Sequence, residues 1–443
     1  MRNLARLTTP SPWVVAMNET GQDHRYGSQV RATIDRDARH QYREAARYIN
    51  ASPRTQVVSI QHEYGLFGGE YGDYLLDFMD AVDRPVVLTM HTVLQRPKPA
   101  MRTVTETLIN KSAGVVVLAE SAREILASYY PRANLDKVAF IPHGTPSVRH
   151  EPTKRYKHEL SLDGHTVLST FGLLGPDKGI EYALRALPDI VARHPDVVYL
   201  VLGQTHPGQR KYAGESYREM LAQLVDELGM REHVRFYNRY LSMQELLRFL
   251  QATDVYVIPY LNPHQIVSGT LAYAVACGKP VVATPFVYAR EMLNSGRGML
   301  ASFRDPASIA TSVNALLDDA DLKARIETRA YNHGRRMHWP AVGVAYCRLL
   351  HRVVDEHHVE KRVRRAAQRR RRAVQSRRPA PAMGALGVGL SLPTSRAAVA
   401  GGVASGPSSA FHAGLGQTLG ASLNPLASSS TNADSLLSGT PLV

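Results

Sequence analysis

A loop near the middle of the chain has the residue types that bind anions. Ser268, Gly269 and Thr270 lie between an apolar strand pattern at 255–259 and a helix pattern of small residues. The first N–H groups of a helix have no partner inside the helix, and they lie at the positive end of the helix dipole. A strand, this loop and a helix in that order therefore predict a site for a phosphate or another anion.

Lys178 follows a strand-to-helix turn that contains Gly172, Gly175 and Gly179. A cation beside a diphosphate stabilises the negative charge that develops on a leaving group. The alternative is an ordinary lysine in the first turn of a solvent-exposed helix, and the sequence favours neither interpretation.

Three histidines, His62, His91 and His143, follow apolar strand patterns in the first half of the chain. His91 ends a predicted strand with Thr89 and Thr92 beside it, and for a lone histidine we favour the structural role of capping a turn. His62 and Glu63 are either an acceptor-binding pair or a surface pair. We favour the acceptor-binding pair, because several glycines crowd the loop that follows.

Apolar strands alternate with amphipathic helices in two series, which predicts an α/β protein with parallel, doubly wound sheets. We expect two Rossmann-like domains that face each other across a cleft. The predicted segments are an N-terminal, acceptor-side domain at 1–150, a linker at 151–163, a donor-binding domain at 164–340, a helix at 341–357, and a basic run with a disordered, low-complexity tail at 358–443.

Ligands of open parallel sheets bind beyond the carboxyl ends of the strands. Gly172, Gln204 and Asn238 follow predicted strands of the second domain, as the histidines do in the first. One wall of the cleft thus carries histidines, and the other carries glycines, a lysine and a helix start. That combination suits a phosphate-bearing ligand.

Three local patterns give testable expectations. The segment 21–39 is polar and is predicted to be a loop. Its Asp35-Arg36-Asp37 has the spacing of a metal-binding DxD but lies away from any predicted strand end, so we interpret it as solvent-exposed. Ser121 with Glu124, and Ser242 with Glu245, have the spacing of a capping box, in which two side chains bond reciprocally to backbone N–H groups.

The bulk composition restricts the class of protein. The chain of 443 residues is longer than one ordinary core requires, and no apolar run reaches the length of a membrane span. Cys277 and Cys347 are expected to be free thiols in a reducing compartment. The residues after Arg378 are rich in Ala, Gly, Ser and Pro and nearly uncharged, which predicts disorder.

The formal charge of +14 is concentrated in one run: ten Lys and Arg residues and no acidic residue lie between Lys361 and Arg378. Two interpretations of this run are open: a segment that binds anionic membrane or nucleic acid, and a solvated basic linker, which is at least as well supported because no aromatic residues lie among the arginines. We expect no specific nucleic acid partner. The CxxC, HExxH and strand-linked GxGxxG motifs are absent from the sequence.

Taken together, these motifs resemble those of retaining nucleotide-sugar glycosyltransferases of family four, which have the GT-B fold. The resemblance covers about residues 13–351. It is carried by FGLLGPDKGI (171–180), VLGQ (201–204), VRFYNRYLS (234–242), SGTLAYAVACGKPVVAT (268–284), SIQHEYGLFGG (59–69), VVLTMHTV (86–93) and IPHG (141–144).

The resemblance implies transfer of a sugar from a nucleotide diphosphate sugar, with retained anomeric configuration and without a metal or cofactor. The second domain would hold the donor and the first the acceptor, a saccharide or glycolipid. His91 corresponds to the histidine beside the reacting sugar, Lys178 to the diphosphate-binding lysine, and residues 268–270 to the loop whose N–H groups touch phosphate.

The sequence also departs from the family pattern. Gln265 and Tyr273 occupy the positions of two glutamates that contact the donor sugar and the ribose, and Leu173 replaces an arginine. A further departure is the start of the chain, where the family's first strand, glycine loop and helix have no counterpart before Trp13. We expect the missing unit to reflect a misplaced start codon or a truncated form.

The functional expectation is a retaining, metal-independent glycosyltransferase in the cytoplasm or at the inner face of the membrane, acting in polysaccharide, oligosaccharide or glycolipid synthesis. His91 and Gln265 are the expected catalytic residues. The replaced glutamates motivate a second hypothesis, a catalytically silent nucleotide- or glycan-binding protein. A third hypothesis is that the basic run tethers the chain to an anionic surface.

Overall fold

The structure, a computed structural model, describes residues 2–9, 11–21 and 24–376. Within these residues the first lobe contains six strands and five α-helices that lead up to the connection to the second lobe. They are α1 (Arg2–Leu7), β1 (Val14–Asn18), β2 (Val30–Asp35), α2 (Arg39–Asn50), β3 (Val58–His62), α3 (Tyr74–Ala81), β4 (Val86–Met90), α4 (Pro99–Lys111), β5 (Gly114–Val117), α5 (Ser121–Tyr129) and β6 (Val138–Phe140).

The second lobe repeats the alternation and ends in a long helix. Its elements are α6 (Thr153–Glu159), β7 (Thr166–Phe171), α7 (Ile180–Val191), β8 (Val197–Leu202), α8 (Pro207–Ala213), α9 (Ser216–Glu227), β9 (Val234–Tyr237), α10 (Met243–Ala252), β10 (Val255–Ile258), α11 (Gly269–Ala276), β11 (Val281–Ala283), α12 (Val287–Leu293), β12 (Met299–Leu300), α13 (Pro306–Asp318), α14 (Ala320–Gly334) and α15 (Trp339–Ser376).

All sheets are parallel, which confirms the predicted fold class. The first lobe has a four-stranded sheet in the order β3-β4-β5-β6 and a separate pair β1-β2. The second has six strands in the order β12-β11-β10-β7-β8-β9. The central strands β4, β7 and β8 are almost wholly buried because helices cover both faces, as parallel sheets require.

The C-terminal helix returns to the first lobe. Leu349 and Val353 of α15 pack in one apolar cluster with Val87 and Val116 of the four-stranded sheet. The chain passes between the lobes twice, and the two passages bond to each other: Thr145 N–H donates to Met337 O at 2.7 Å, and Trp339 N–H donates to Thr145 O at 2.9 Å. The second lobe is therefore tied to the first through adjacent crossings.

The prediction that residues 21–39 form a loop is wrong for its second half. Val30, Ala32 and Ile34 alternate with polar residues in β2, and only Ile34 is fully buried. Because half of this short strand is polar, its average composition hides the period of two. Asp35 consequently ends a strand, contrary to the prediction, and both Asp35 and Asp37 accept a hydrogen bond from Thr20.

Two other segments differ from the predicted boundaries. The linker at 151–163 contains α6, whose Tyr156 packs on the main apolar cluster. The helix predicted to end at 357 continues to Ser376, through most of the basic run. Arg, Lys, Gln and Ala are good helix formers, so a run of exposed charged side chains still extends the helix. The tail predicted to be disordered, from 379 onward, lies outside the described residues, and the other domain boundaries remain predictions.

No helix within residues 2–376 combines the length and the hydropathy that a bilayer span requires. Cys277 and Cys347 are both buried free thiols, as predicted.

The two predicted capping boxes have opposite outcomes. Ser242 caps α10 as expected, because its Oγ accepts from Glu245 N–H at 3.3 Å and the Glu245 carboxylate accepts from Ser242 N–H at 3.0 Å. Ser121 is instead the first residue of α5, and its hydroxyl has no partner within the described residues. The carboxylate of Glu291, from the second lobe, takes the capping position: Glu120 N–H and Ser121 N–H each donate to it at 2.9 Å.

This difference gives a matched pair of stability predictions. Ser242→Ala should lower the free energy of unfolding by about 1 kcal/mol, because it removes a helix cap. Ser121→Ala should change it by less than about 0.5 kcal/mol, since no cap is lost. Urea unfolding of the two variants measures the difference, and equal losses would contradict the assignment of the caps.

Candidate functional site

The predicted anion site lies where the strand order of the second sheet reverses. Strands β7 and β10 are neighbours in the sheet, although β8 and β9 lie between them in sequence. At such a switch point the loops after two adjacent strands diverge to opposite faces and leave a crevice at the carboxyl ends. Gly172 follows β7 at this point, and the loop that carries Ser268 follows β10.

Lys178 projects into this crevice. Its Nζ lies 4.3 Å from the centre of the Tyr260 ring and 3.4 Å from Asp177 Oδ2, and its side chain is only 18% exposed. Burial alone would lower the pKa of Lys178, but the Tyr260 phenol and the Asp177 carboxylate beside it raise the pKa above its ordinary value. The interpretation as an ordinary solvent-exposed lysine is therefore wrong, and the cation is held where the two loops meet.

The glycine after Lys178 explains why the turn is so tight. Gly179 has φ +62°, and a β-carbon there would lie 2.2 Å from the carbonyl oxygen of Pro259, at the end of β10. Leu261 N–H also donates to Asp177 O at 2.9 Å. The loop after β7 is thus fastened to the loop after β10, which fixes Lys178 beside the start of α11.

Helix α11 begins with Ser268 as its N-cap, and Ser268 Oγ accepts from Leu271 N–H at 3.3 Å. Thr270 Oγ1 lies 3.0 Å from Ser268 Oγ and 2.9 Å from Tyr260 Oη. Tyr260 therefore links the helix start to Lys178 through its hydroxyl and its ring. Within the described residues the N–H groups of Gly269 and Thr270 donate to no other group, so they retain the anion-binding capacity predicted for them.

The first lobe meets the second at this helix start. A β-carbon placed on Gly269 would lie 3.3 Å from His143 Nε2, and the His143 and Tyr273 rings are 6.0 Å apart in an edge-on arrangement. His143 Nδ1 donates to the carbonyl oxygen of Gly144 at 2.8 Å. The bond leaves Nε2 to carry the lone pair of the neutral ring, and burial holds the pKa of His143 below its ordinary value.

His62 is the last residue of β3, and His91 and His143 follow β4 and β6, so the three form a row along one edge of the sheet. Burial, together with the neighbouring His143, lowers the pKa of His91 to about 4. Burial and the neighbouring His91 likewise lower the pKa of His62 to about 4. The row is therefore neutral at physiological pH, and it presents hydrogen-bonding groups rather than charge.

His62 and Glu63 are buried, with 1% and 7% exposure, so the interpretation as a surface pair is wrong. Glu63 accepts from Thr92 Oγ1 at 2.8 Å and from Tyr64 N–H at 3.0 Å. Burial raises the pKa of its carboxyl to about 7, although these two bonds oppose the shift. Glu63 thus supports the loop that carries His91, and its predicted acceptor-binding role remains a prediction.

The raised pKa of Glu63 predicts a pH-dependent stability. Between pH 4.5 and about 7 the unfolded chain ionises this carboxyl while the folded chain keeps its proton, so stability falls as the pH rises. From pH 5.5 to pH 8, Glu63→Gln should gain about 2 kcal/mol of unfolding free energy relative to wild type. Urea unfolding at both pH values measures the gain. The exposed Glu124→Gln is the control for loss of charge, and a pH-independent difference for Glu63→Gln would contradict the prediction.

The remaining predicted donor contacts lie at the same edge of the second sheet. A β-carbon placed on Gly172 would lie 3.5 Å from Thr270 Cγ2, and Gln204 and Asn238 follow β8 and β9. Gln265 lies in the loop before α11, where its Nε2 donates to Val267 O at 3.0 Å. The structure brings Gly172, Lys178 and the helix start together, whereas Asn238 lies farther along the edge.

Sequence reasoning missed the residues that join the lobes. Besides the Glu291 contact, Gln95 Oε1 accepts from His264 Nδ1 at 2.7 Å across the cleft. It also missed Tyr260, whose ring contacts Lys178 and whose hydroxyl bonds Thr270. Each of these residues acts through a partner more than eighty positions away or on another loop, and no local pattern marks such pairs. Within the described residues no group of three or more His, Cys, Asp or Glu side chains is placed to hold a metal ion.

Comparison with known proteins agrees with this geometry. Residues 153–333 match the family model described as "Glycosyl transferases group 1". The chain is 28% identical over 300 residues to the D-inositol 3-phosphate glycosyltransferase of Corynebacterium kroppenstedtii, covering 63% of this chain and 64% of that relative, less than two thirds of its length. It is also 23% identical to spore coat protein SA of Bacillus subtilis, over 56% of this chain and 66% of that protein.

Two solved structures share the fold. HepE of Anabaena, solved in complex with UDP, superposes with a TM-score of 0.59 at 18% identity, covering 73% of this chain and 86% of its own. Sucrose-phosphate synthase from Thermosynechococcus elongatus superposes with a TM-score of 0.60 at 17% identity, covering 77% and 88%. At these identities the likeness establishes the two-lobed GT-B fold.

Proposed function

We propose that this chain, whose residues 153–333 form a glycosyl transferases group 1 domain, is a retaining glycosyltransferase. It moves a sugar from a nucleotide diphosphate sugar to a saccharide or glycolipid acceptor. The observation that carries the proposal is the meeting of Lys178, the α11 start and His143 at one switch point. A cation and free backbone N–H groups are what a departing diphosphate requires.

In the proposed reaction, the bond between the sugar C1 and the diphosphate oxygen breaks and a bond from C1 to the acceptor oxygen forms on the same face. The nucleoside diphosphate leaves, and the acceptor hydroxyl passes its proton to the diphosphate oxygen that has left C1. Lys178 and the N–H groups of Gly269 and Thr270 stabilise the negative charge on the leaving group. His91 lies beside the reacting sugar, and Gln265 hydrogen-bonds its hydroxyls.

The rest of the donor would extend along the carboxyl ends of the second sheet. Gly172 admits the donor close to the backbone, Gln204 and Asn238 bond its nucleoside part, and Tyr273 packs on or bonds the ribose. His62 and Glu63 support the acceptor side. The resemblance favours a reaction without a metal or cofactor. Because HepE was solved in complex with UDP, UDP-sugars are the donors to test first.

Nucleoside diphosphate release tests the proposal. The full chain is incubated with UDP-glucose, UDP-N-acetylglucosamine or GDP-mannose, each with D-inositol 3-phosphate, with glucose, or with no acceptor. We expect at least one donor and acceptor pair to release diphosphate far faster than the donor alone, and the product's anomeric coupling to match that of the donor. No release with any pair, in a chain that also binds neither UDP nor GDP, would overturn the proposal.

The alternative is a catalytically silent nucleotide- or glycan-binding protein. It is favoured by Gln265 and Tyr273, which place no charge where the family has two carboxylates, and Tyr273 is only 6% exposed. Calorimetry separates the two functions, because tight binding of UDP or GDP with no transfer from any donor of the panel favours the silent protein.

We also propose that the end of α15 makes peripheral contact with an anionic membrane. Every side chain from Arg362 to Arg372 is exposed. Two apolar residues one helical turn apart, Val359 and Val363, are also 55% and 63% exposed. A basic helix with a narrow apolar stripe suits a lipid surface, and it has no aromatic residue for stacking nucleic acid bases. A reducing, cytoplasmic location fits the two free thiols. Co-sedimentation with vesicles of phosphatidylserine and phosphatidylcholine, at low and high salt, tests the contact.

A further inference from the structure

Gln61, Thr89 and His91 lie on one face of the first sheet. Gln61 of β3 pairs in register with Thr89 of β4, and His91 follows two residues later. Because alternate residues of a strand share a face, the three side chains are neighbours on the face that also meets α15. No sequence motif indicates a role for Gln61.

The Gln61 amide N–H group donates to two hydroxyl groups of the sheet, those of Thr89 and of Ser59, the latter at 3.4 Å. Its Nε2 donates to Thr89 Oγ1 at 3.3 Å, and Thr89 Oγ1 lies 3.2 Å from Tyr346 Oη, on α15. Tyr346 packs against the apolar cluster that joins α15 to the first lobe. The returning C-terminal helix thus orients an amide at the carboxyl edge of the sheet.

With Nε2 of Gln61 engaged in this way, its carbonyl oxygen faces His91. Gln61 Oε1 lies 2.9 Å from His91 Nε2. An amide oxygen only accepts hydrogen bonds, so His91 Nε2 must carry the proton. The ring is neutral, because burial and the neighbouring His143 lower the pKa of His91 to about 4. Nδ1 therefore holds the lone pair.

We infer that Gln61 is a positioning residue, which holds His91 in the tautomer whose Nδ1 accepts a hydrogen bond from a substrate hydroxyl. This inference rests on the proposed function for its consequence, since His91 is placed there beside the reacting sugar. A neutral imidazole without such a partner exchanges its two tautomers, and the other tautomer presents an N–H where a hydroxyl would have to donate.

Substitution of Gln61 tests the inference. Gln61→Leu removes the acceptor, and Gln61→Glu keeps one. We expect Gln61→Leu to lower kcat roughly tenfold to hundredfold with an unchanged KM for the donor, and Gln61→Glu to recover most of the loss. The matched control is Gln244→Leu, the same change at an exposed position of α10, which should leave kcat unchanged.

The decisive measurement is the ring nitrogen spectrum of His91 in the full, nitrogen-15-labelled chain, assigned by comparison with His91→Gln. We expect the Nε2–H tautomer in wild type, in Gln61→Glu and in Gln244→Leu, and a mixture of tautomers in Gln61→Leu. A wild-type ring protonated at Nδ1, or an unchanged tautomer in Gln61→Leu, would overturn the inference. This spectrum needs no turnover, so it tests the effect of Gln61 on the His91 tautomer even if the release assay refutes the proposed function.

Discussion

Lys178→Met should lower kcat/KM for the nucleotide sugar by about 100-fold to 1,000-fold, which corresponds to about 3–4 kcal/mol of transition-state stabilisation. The substitution keeps an unbranched side chain that is one heavy atom shorter, and it removes the charge. The expected effect is large because the Lys178 side chain is only 18% exposed and lies at the switch point, where little water screens its interaction with a diphosphate.

The exposed Lys154→Met provides a matched control for the loss of one lysine. Initial rates at varied donor concentration, with the best acceptor of the release assay, measure the effect. The affinity for the free nucleoside diphosphate should also fall, because Lys178 contacts the product as well as the transition state. A change in kcat/KM of less than threefold would remove Lys178 from the reaction and leave it as a structural partner of Tyr260 and Asp177.

Gly203→Ala should destabilise the protein more than any other single substitution described above, by at least about 4 kcal/mol. Gly203 has φ +130°, and a β-carbon there would lie 2.0 Å from the carbonyl oxygen of Gly172. Both the backbone conformation and the clash exclude a side chain, and the clash is with backbone, which cannot rotate away. The ends of β7 and β8 would have to separate at the edge of the cleft.

Gly229→Ala is the control for this prediction. Gly229 also has a positive φ, +67°, but a β-carbon at this position would have no atom within 4 Å among the described residues, so the variant should lose only about 1 kcal/mol. Urea unfolding measures both losses, and the thermal midpoint replaces it if Gly203→Ala accumulates too little folded protein. Equal losses would show that the close approach of Gly203 to Gly172 does not constrain the cleft.

Much of the fold was predictable because its signals are local. Strands such as β8 and β10 are unbroken runs of apolar and aromatic residues, and the capping box of α10 consists of two residues three positions apart. The same local logic failed for β2, where polar residues mask the alternation, and for α5, where the cap is Glu291 from the other lobe. A residue 170 positions away leaves no trace in a local pattern.

The candidate site likewise has features that the sequence predicts and features that it does not. The helix start at Ser268 to Thr270 could be predicted, because N-cap residues and glycines are visible in the sequence, and its role as an anion site stays a prediction. The burial of Lys178 and of Glu63 could not, since burial depends on which loops pack together after folding. The roles of Tyr260 and Gln61 could not be predicted either. Each residue acts by orienting another side chain, and no sequence motif indicates such a role.

The central claim is that the second lobe holds a diphosphate with Lys178 and the main-chain N–H groups at the start of α11. Calorimetric titration of the full chain with UDP, with GDP and with the two parent nucleosides tests it most directly. We predict that at least one diphosphate binds about 100-fold or more tightly than its nucleoside, a difference of about 2.7 kcal/mol. If neither diphosphate binds more tightly than its nucleoside, the claim is contradicted.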